Sequence, residues 1–399
     1  MDAPVRDRYD AVVVGARCAG AATAMLLARA GMSVLLFDRD RRGADTLSTL
    51  AMMRAGVLQL RRWGLLEQVR AEGAQAILST SFIYGDETIT VPIKPRDGVD
   101  ALFAPRRTVL DRLIADAAAA AGADVRHGPR LVDLVRDAGG RVTGVTIEDR
   151  ESVLHTIAAG IVIGADGLRS TVARIAEAPI YHQGRHAAGV VYAFWHGLEN
   201  QGNRWHYRPR VSAGAIPTNA GDTCIFVAIP GSRFQDEVRL DMEAGYRRVL
   251  SECAPALAAE LSVMQPTERF RGFPGHPGQM RQSHGPGWAL VGDAGYFKDP
   301  ITAHGISDAL RDAELLARAA AQGSDRAMTE YQATRDALSR ELFEITDAIA
   351  GFEWDLESLK PLHLNLSRTM NDEVEALLGL DRSAPADANP SGHARRPAP

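Results

Sequence analysis

The sequence has 399 residues, of which 46% are hydrophobic and 24% are charged, and its formal net charge is −5. This composition is typical of a soluble globular protein with one or two domains. The 45 basic residues are dispersed among 50 acidic ones, which argues against a nucleic-acid partner because polyanion binding needs a clustered positive surface.

The first predicted elements form a βαβ unit over residues 9–38. An apolar run ends at Gly15, an alanine-rich helix follows Gly20, and a second apolar run ends in Asp38. A helix that begins just after a strand presents free N–H groups to phosphate, and an acid after the next strand suits a ribose hydroxyl. Arg17 stands where the G-x-G-x-x-G pattern has its second glycine. The unit predicts a dinucleotide site, and an ordinary βα turn is the alternative.

Helices and strands continue to alternate along the chain. Helices are predicted at 52–63, 65–71, 106–121, 240–254, 307–321, 324–352 and 354–380. Strands are predicted within 76–93 and at 125–128, 131–137, 142–148, 158–163, 188–195, 204–207, 212–217, 223–230 and 289–291. Residues 272–287, rich in Gly, Pro and His, are expected to form a linker.

These elements predict an α/β fold with two domains and a helical C-terminus. The Rossmann-like cofactor domain is expected to comprise 1–75, 100–178 and 276–350. A mainly antiparallel β substrate domain, 76–99 and 179–275, is inserted into it. Further helices are expected at 351–380. The segment 381–399 is predicted to be disordered because its Pro-, Ala- and Asp-rich composition can bury little apolar surface.

Three separated segments place glycine directly after a strand-like run. They are Gly15–Gly20, then 164–170 with the sequence GADGLRS, then 292–306 with the sequence GDAGYFKDPITAHGI. In order and spacing they resemble the glycine, DG and GD motifs of the FAD-dependent monooxygenases of the para-hydroxybenzoate hydroxylase type. The related geranylgeranyl-reductase and flavin-halogenase branches share this pattern. The resemblance spans about residues 9–345.

The resemblance implies a glutathione-reductase-type fold that binds FAD tightly but non-covalently. It implies that Asp293 bonds a ribityl hydroxyl and that Pro300 lies near the isoalloxazine. The backbone at Ala303–Ile306 begins a helix that faces the N1/O2 side of the flavin. Asp166 and Gly167 are implied to serve both FAD and a transient NADH or NADPH, although a carboxylate that bonds its own turn is the alternative for Asp166.

Further candidate residues lie near these motifs. Arg107, in an R-x-x-L context, is implied to bind FAD, with Arg106 as the competing choice. Arg39 either bonds the adenosine phosphate or is solvated. Cys18 is expected to be a small packing residue rather than a flavin attachment point. The predicted cofactor-binding residues are Gly15, Ala16, Cys18, Ala19, Gly20, Asp38, Arg39, Arg107, Asp166, Gly167, Gly292, Asp293, Pro300, Ala303, Gly305 and Ile306.

The catalytic residues are not identified by the sequence. His304 is a weak candidate, either as a positive group or proton donor over the flavin, or as an ordinary solvated loop residue. No metal-binding or nucleophile motif competes, and the W-x-W-x-I-P signature of flavin halogenases is absent from the sequence.

The predicted substrate sheet is apolar. The segments Ser212–Thr218 and Cys224–Val227 consist mostly of small or apolar residues, among which an unpaired carboxylate would be costly to bury. We therefore expect a neutral, largely apolar, aromatic or polycyclic substrate. The wall candidates, which ordinary sheet packing would explain equally well, are Trp195, Trp205, Tyr207, Ile216 and Phe226.

The leading functional hypothesis is a monooxygenase that uses NAD(P)H and O2 to hydroxylate or epoxidise this substrate through a flavin C4a-hydroperoxide. The alternatives are a flavin dehydrogenase or reductase acting on C–C bonds of an isoprenoid or polyketide, and a flavin-binding protein without turnover. The choice between NADH and NADPH and the oligomeric state stay open. Three cysteines and the lack of a signal peptide or long apolar run favour a cytoplasmic protein without an integral membrane segment.

Overall fold

The computed structural model describes residues 6–382. Within this range the elements are β1 (Arg8–Val14), α1 (Cys18–Arg29), β2 (Val34–Asp38), α2 (Arg54–Arg62), α3 (Leu66–Ala71), β3 (Ser79–Tyr84), β4 (Glu87–Pro92), α4 (Arg107–Ala120), β5 (Asp124–His127), β6 (Arg130–Arg136), β7 (Val142–Glu148), β8 (Leu154–Gly164), α5 (Thr171–Ile175), β9 (Ile180–Gln183), β10 (Ala188–His196), β11 (Asn203–Arg208), β12 (Val211–Pro217), β13 (Asp222–Pro230), α6 (Gly231–Glu237), α7 (Met242–Cys253), α8 (Pro255–Leu261), β14 (Arg271–Phe273), β15 (Gln279–Arg281), β16 (His284–Gly285), β17 (Trp288–Leu290), β18 (Tyr296–Phe297), α9 (Gly305–Gln322), α10 (Asp325–Ala350) and α11 (Leu356–Arg382). Two 3-10 turns, Gly292–Ala294 and Pro300–Thr302, precede α9.

The first sheet carries the βαβ unit. Its strands run in the order β16-β17-β8-β1-β2-β5, and β7 with β6 extends from β8. Strands β17, β8, β1, β2 and β5 pair in parallel. Ala11 and Val13 pack towards the core shared with α1, whereas Val12 and Val14 pack towards the core formed with β6 and β7. Both faces of β1 are covered, which explains its continuous apolar sequence.

The second sheet has the order β14-β10-β13-β12-β11-β3-β4. Its pairs are antiparallel except β11 with β3. One face packs against α7 and α8 and forms its own core. The opposite face, which we call the inner face, joins the core that contains α1 and α9. The inner face therefore packs towards the half of the molecule that contains the βαβ unit and α9, which we call the cofactor half.

The α/β fold class with an added, largely antiparallel sheet and a helical C-terminus is confirmed. Three short helices, α5, α6 and α8, and two short strands, β9 and β18, were not predicted, and the expected linker at 272–287 contributes β15 and β16. Such short segments lack a hydrophobic period because partners distant in the sequence define them. Of the predicted disordered tail, 383–399 lie outside the described residues, and 381 and 382 end α11.

In the part of the chain that the structure describes, every helix is too short or too polar to cross a membrane.

The turn between β1 and α1 yields the first testable prediction. A Cβ at Gly20 would lie 1.8 Å from the carbonyl oxygen of Gly15, so alanine must force the turn apart. Gly20→Ala should lower the free energy of unfolding by about 2 kcal/mol or more, measured by denaturant titration. Gly379→Ala in α11 is the control, because a Cβ there meets no atom within 4 Å. An equal loss of unfolding free energy in both variants would contradict the tight packing that we assign to Gly20.

Candidate cofactor site

The three glycine segments converge at the N-terminus of α1. A Cβ at Gly15, whose φ is +104°, would lie 2.5 Å from the carbonyl oxygen of Ala165 in the second segment. A Cβ at Gly292, in the third segment, would lie 2.9 Å from the Cβ of Ala19. These close approaches explain why glycine is needed in both places. Segments distant in the sequence thus form one structural unit.

Asp38 lies beside the glycine turn, as predicted. Its carboxylate accepts hydrogen bonds from the backbone N–H groups of Ala16 and Asp40, both at 2.8 Å. Each carboxylate oxygen has a second lone pair, so a ribose hydroxyl can still bond here. Arg39, by contrast, is exposed to solvent.

A small cleft opens next to this turn. Arg17 lines the cleft and pairs with Asp40 at 2.9 Å. Its Nη1 atom is buried and has no hydrogen-bond partner among the described residues. A guanidinium donor left free beside a helix N-terminus is suited to an anionic group. The residue that breaks the glycine pattern therefore fits a dinucleotide phosphate.

Arg107 is buried at the start of α4 and bonds Asp111 through Nε at 3.1 Å and Nη2 at 3.0 Å. Asp111 also accepts a hydrogen bond of 3.1 Å from the backbone N–H of Cys18, in the first turn of α1. Sequence analysis missed Asp111, although its i+4 spacing from Arg107 was a usable signal. Burial raises the pKa of the Cys18 thiol to about 11, which agrees with a packing role.

The second segment is held by local bonds. Asp166 accepts hydrogen bonds from the hydroxyl of Ser170 and from the backbone N–H groups of Thr171 at 2.6 Å and Val172 at 3.2 Å. These bonds cap α5, and Gly167 adopts a φ of +78°. The geometry thus matches the turn alternative for Asp166, and its contact with FAD or NAD(P)H stays a prediction.

Asp293, unlike Asp166, keeps its carboxylate free of local hydrogen bonds within the described residues. Its side chain is accessible yet lies in a deep recess, where removal from bulk water raises the pKa of the carboxyl group to about 6. The positive charges of Arg107 and Lys298 oppose this rise. Within residues 6–382 no hydrogen bond to the Asp293 carboxylate is formed. A free acceptor in a recess beside α1 fits a ribityl hydroxyl.

The loop before α9 is shaped by Asp299 and Ala303. Asp299 accepts hydrogen bonds from the backbone N–H groups of Ile301 at 3.0 Å and Ala188 at 2.7 Å, which ties the loop to β10. Pro300 opens the second 3-10 turn, and Ala303 ends it in the left-handed conformation with a φ of 53°. Helix α9 then begins at Gly305, which is exposed. Its N-terminus is therefore open to an anionic group.

His304 belongs to a buried ionic cluster behind this helix start. Its side chain is buried, and its Nε2 atom lies 2.6 Å from a carboxylate oxygen of Glu373 in α11. Burial lowers the pKa of His304, so the structure does not favour the expected positive group over the flavin. The cluster, which sequence analysis missed apart from His304, comprises Lys298, His304, Asp308, Arg311, Asp312 and Glu373.

The cluster is an ion-pair network rather than a metal centre. His304, Asp308 and Glu373 place ligand atoms within 4.8 Å of one another. However, Lys298 bonds Asp308, and Arg311 bonds Asp308 at 3.0 Å and Glu373 at 2.9 Å. These cations already neutralise the carboxylates that a metal ion would need.

Four of the five predicted wall residues share the inner face of the second sheet. Trp205, Tyr207, Ile216 and Phe226 pack in the inner core. Trp195 does not, because it lies on the outer face and stacks on Tyr246 with ring centroids 6.4 Å apart. Side chains alternate along a strand, so its neighbours on β10, Tyr192 and Phe194, face inward instead. Trp195 is therefore removed from the candidate wall.

The largest polar side chains at the inner face have hydrogen-bond or ion-pair partners. The phenol oxygen of Tyr192 accepts a hydrogen bond of 3.1 Å from the backbone N–H of Ser48. The Arg106 guanidinium lies 3.5 Å from the Phe194 ring centroid and bonds Glu268. Arg271, which was not anticipated, pairs with Asp45 at 2.8 Å and with Glu268 at 3.1 Å. Both guanidinium groups thus pair with a carboxylate, and Nε of Arg271 is buried without a hydrogen-bond partner among the described residues.

Comparison with known proteins agrees with this geometry. A family model described as an FAD binding domain matches residues 8–346. The chain belongs to this FAD-binding family. The resemblance expected from the three motifs is confirmed.

Two reductases are among the relatives that cover most of the chain. The menaquinone reductase of Mycolicibacterium smegmatis is 27% identical over 351 residues, which are 84% of this chain and 81% of the relative. Digeranylgeranylglycerophospholipid reductase 1 of Methanopyrus kandleri is 28% identical over 323 residues, 76% of this chain and 77% of the relative.

Solved structures show the same fold. PqsL of Pseudomonas aeruginosa, described as a probable FAD-dependent monooxygenase, superposes with a TM-score of 0.74 at 20% identity, covering 89% of this chain and 99% of PqsL. The flavin-dependent brominase Bmp2 gives a TM-score of 0.77 at 19% identity, with 94% and 100% covered. At such identities the likeness concerns the fold alone.

The glycine turn allows a paired test. Asp38→Ala should weaken FAD retention more than Arg17→Ala, because Asp38 holds two backbone N–H groups of the turn whereas the charge of Arg17 is shared with Asp40. The dissociation constant of FAD, measured by flavin fluorescence on apoprotein, should rise by about tenfold or more in the Asp38 variant. Equal retention in both variants would show that the ribose is misplaced.

Asp293 yields a prediction on pH. Its folded-state pKa of about 6 exceeds the ordinary carboxyl value of 3.8, so the folded apoprotein binds more protons than the unfolded chain between these values. Its contribution to stability therefore falls as pH rises from about 4 to 6. Thermal unfolding of the apoprotein across this range should be less pH-dependent in Asp293→Asn. An unchanged pH dependence would contradict the assigned environment.

Proposed function

We propose that the protein is an FAD-dependent oxidoreductase that reduces a C–C double bond of a neutral, isoprenoid-like apolar molecule. FAD, when bound, supplies the two-electron chemistry, with NADH or NADPH as the transient electron donor. The observation that carries the proposal is the inner face of the second sheet, which is apolar and has its arginines paired with carboxylates.

The apolar inner face selects against charged substrates. Trp205, Ile216 and Phe226 are each less than 9% exposed, and a substrate carboxylate placed among them would lose its hydration without gaining a cation whose charge is not already paired. Arg106 and Arg271 are paired with Glu268, and Arg271 is also paired with Asp45. A neutral substrate avoids this desolvation cost.

The choice of reduction is supported by the menaquinone reductase and the digeranylgeranylglycerophospholipid reductase to which the chain is similar. Both have names that denote reduction of an isoprenoid-bearing lipid. The solved monooxygenase and brominase share the fold at 20% identity or less. A shared fold is weaker support for a shared reaction than the higher sequence identity to the two reductases.

The side chains have distinct tasks in this proposal. Arg17 and the N-terminus of α1 hold the pyrophosphate, and Asp293 orients the ribityl chain. The open N-terminus of α9 stabilises negative charge on the flavin ring. Burial raises the pKa of Tyr192, so its phenol stays protonated and can donate to a substrate oxygen at the inner face.

Monooxygenation with NAD(P)H and O2 is the second candidate function. It is favoured by the burial of the inner face, since oxygen transfer from a flavin requires that water be excluded. A neutral aromatic or polycyclic compound would be its substrate.

Anaerobic turnover separates these functions. The FAD-loaded protein is reduced with NADH or NADPH without oxygen and then mixed with an isoprenoid quinone or a geranylgeranyl lipid. We expect the oxidised flavin spectrum to return and the product to gain two hydrogens. Benzoate, a charged control, should not reoxidise the flavin.

Other outcomes would contradict the proposal. A product that forms only in air and gains one oxygen atom would establish monooxygenation instead. A flavin that neither nicotinamide reduces would indicate a binding protein without turnover.

A further inference from the structure

The C-terminal helix α11 enters the cofactor half of the molecule although it lies beyond residue 346, where the match to the FAD-binding family ends. Near its start, His363 Nδ1 lies 2.7 Å from the hydroxyl of Tyr84 on β3. Towards its end, the carbonyl oxygen of Leu380 accepts a hydrogen bond of 3.2 Å from Arg318 of α9. The helix therefore spans from the second sheet to α9.

Glu373 lies between these two contacts and is 2% exposed. One carboxylate oxygen lies 2.6 Å from Nε2 of His304, and the other accepts a hydrogen bond of 2.9 Å from Nη1 of Arg311. His304 directly precedes Gly305, where α9 begins, and Arg311 lies further along α9. A single side chain from outside the matched region thus holds the first two turns of α9.

Charge balance makes this contact strong. Burial would raise the pKa of the Glu373 carboxyl group, but its contacts with His304 and Arg311 outweigh burial and lower this pKa, so the carboxylate is ionised and accepts a hydrogen bond from neutral His304. A buried ion pair costs little only while both partners are present, and loss of one leaves the other desolvated. Removing Glu373 would therefore disturb both His304 and Arg311.

We propose that Glu373 is a positioning residue for FAD, fixing through His304 and Arg311 the place where the N-terminus of α9 meets the flavin. This inference rests on the FAD site described above but is independent of the substrate and of the reaction. It makes α11, which the family model does not include, a functional part of the cofactor site.

Glu373→Gln tests the proposal because it removes the charge and keeps the shape. FAD is titrated into the apoprotein to obtain its dissociation constant, and the flavin midpoint potential is measured on the loaded protein. We expect FAD to bind about tenfold more weakly. The potential should also shift to more positive values, because one negative charge fewer beside the helix start favours the reduced, anionic flavin.

Asp372→Asn is the matched control. It removes one negative charge at the neighbouring, exposed position of the same helix and should leave both quantities unchanged. If Glu373→Gln behaves like this control, the proposal is overturned. Weaker binding with an unmoved potential would give Glu373 a merely structural role and would also overturn it.

A second variant covers the case in which Glu373→Gln does not fold. Glu373→Asp keeps the charge but shortens the side chain by one methylene, so it should fold and still bind FAD more weakly than wild type. Wild-type affinity in this variant would refute the proposal. Wild-type protein that binds no FAD would instead refute the cofactor site itself.

Discussion

The close backbone approach around the N-terminus of α1 is the constraint on which the rest of the structure depends. Gly15 lies against Ala165, Gly20 against Gly15, and Gly292 against Ala19, at separations that a side chain would destroy. This packing brings three distant segments of the chain to one helix start. There, unpaired N–H groups and the helix dipole favour an anion. The cleft, the recess at Asp293 and the loop before α9 are all arranged around it.

A second set of interactions connects this centre to the inner face of the second sheet, where we propose that the substrate binds. Asp299 joins the loop before α9 to β10, whose Tyr192 and Phe194 lie on the inner face. The buried ionic cluster connects the same loop to α11. Two helix starts thus surround the proposed flavin, and charged side chains beneath α9 hold its N-terminus in place. The chemistry proposed for the inner face requires this positioning because reacting groups must be held within a fraction of an ångström.

Much of this organisation could be predicted from local patterns. The βαβ unit, Asp38 and the three glycine segments depend on strand and helix periods and on glycine spacing, which are visible in the sequence. Trp195 was misassigned because the face of the sheet on which it lies depends on strand register. Asp111 was missed because its hydrogen-bond partner, the backbone N–H of Cys18, is distant in the sequence. The bond between Glu373 and His304 joins helices that no local pattern relates. Contacts between charged residues that are distant in the sequence are therefore visible only in the structure.

The central claim is that one FAD lies across the three glycine segments, and a crystal structure of the FAD-loaded protein tests it most directly. The account predicts that the pyrophosphate is bonded by backbone N–H groups at the start of α1, with a ribityl hydroxyl on Asp293 and the flavin ring at the start of α9. A flavin bound away from Asp293 and α9, or a phosphate remote from the turn at Gly15, would contradict it.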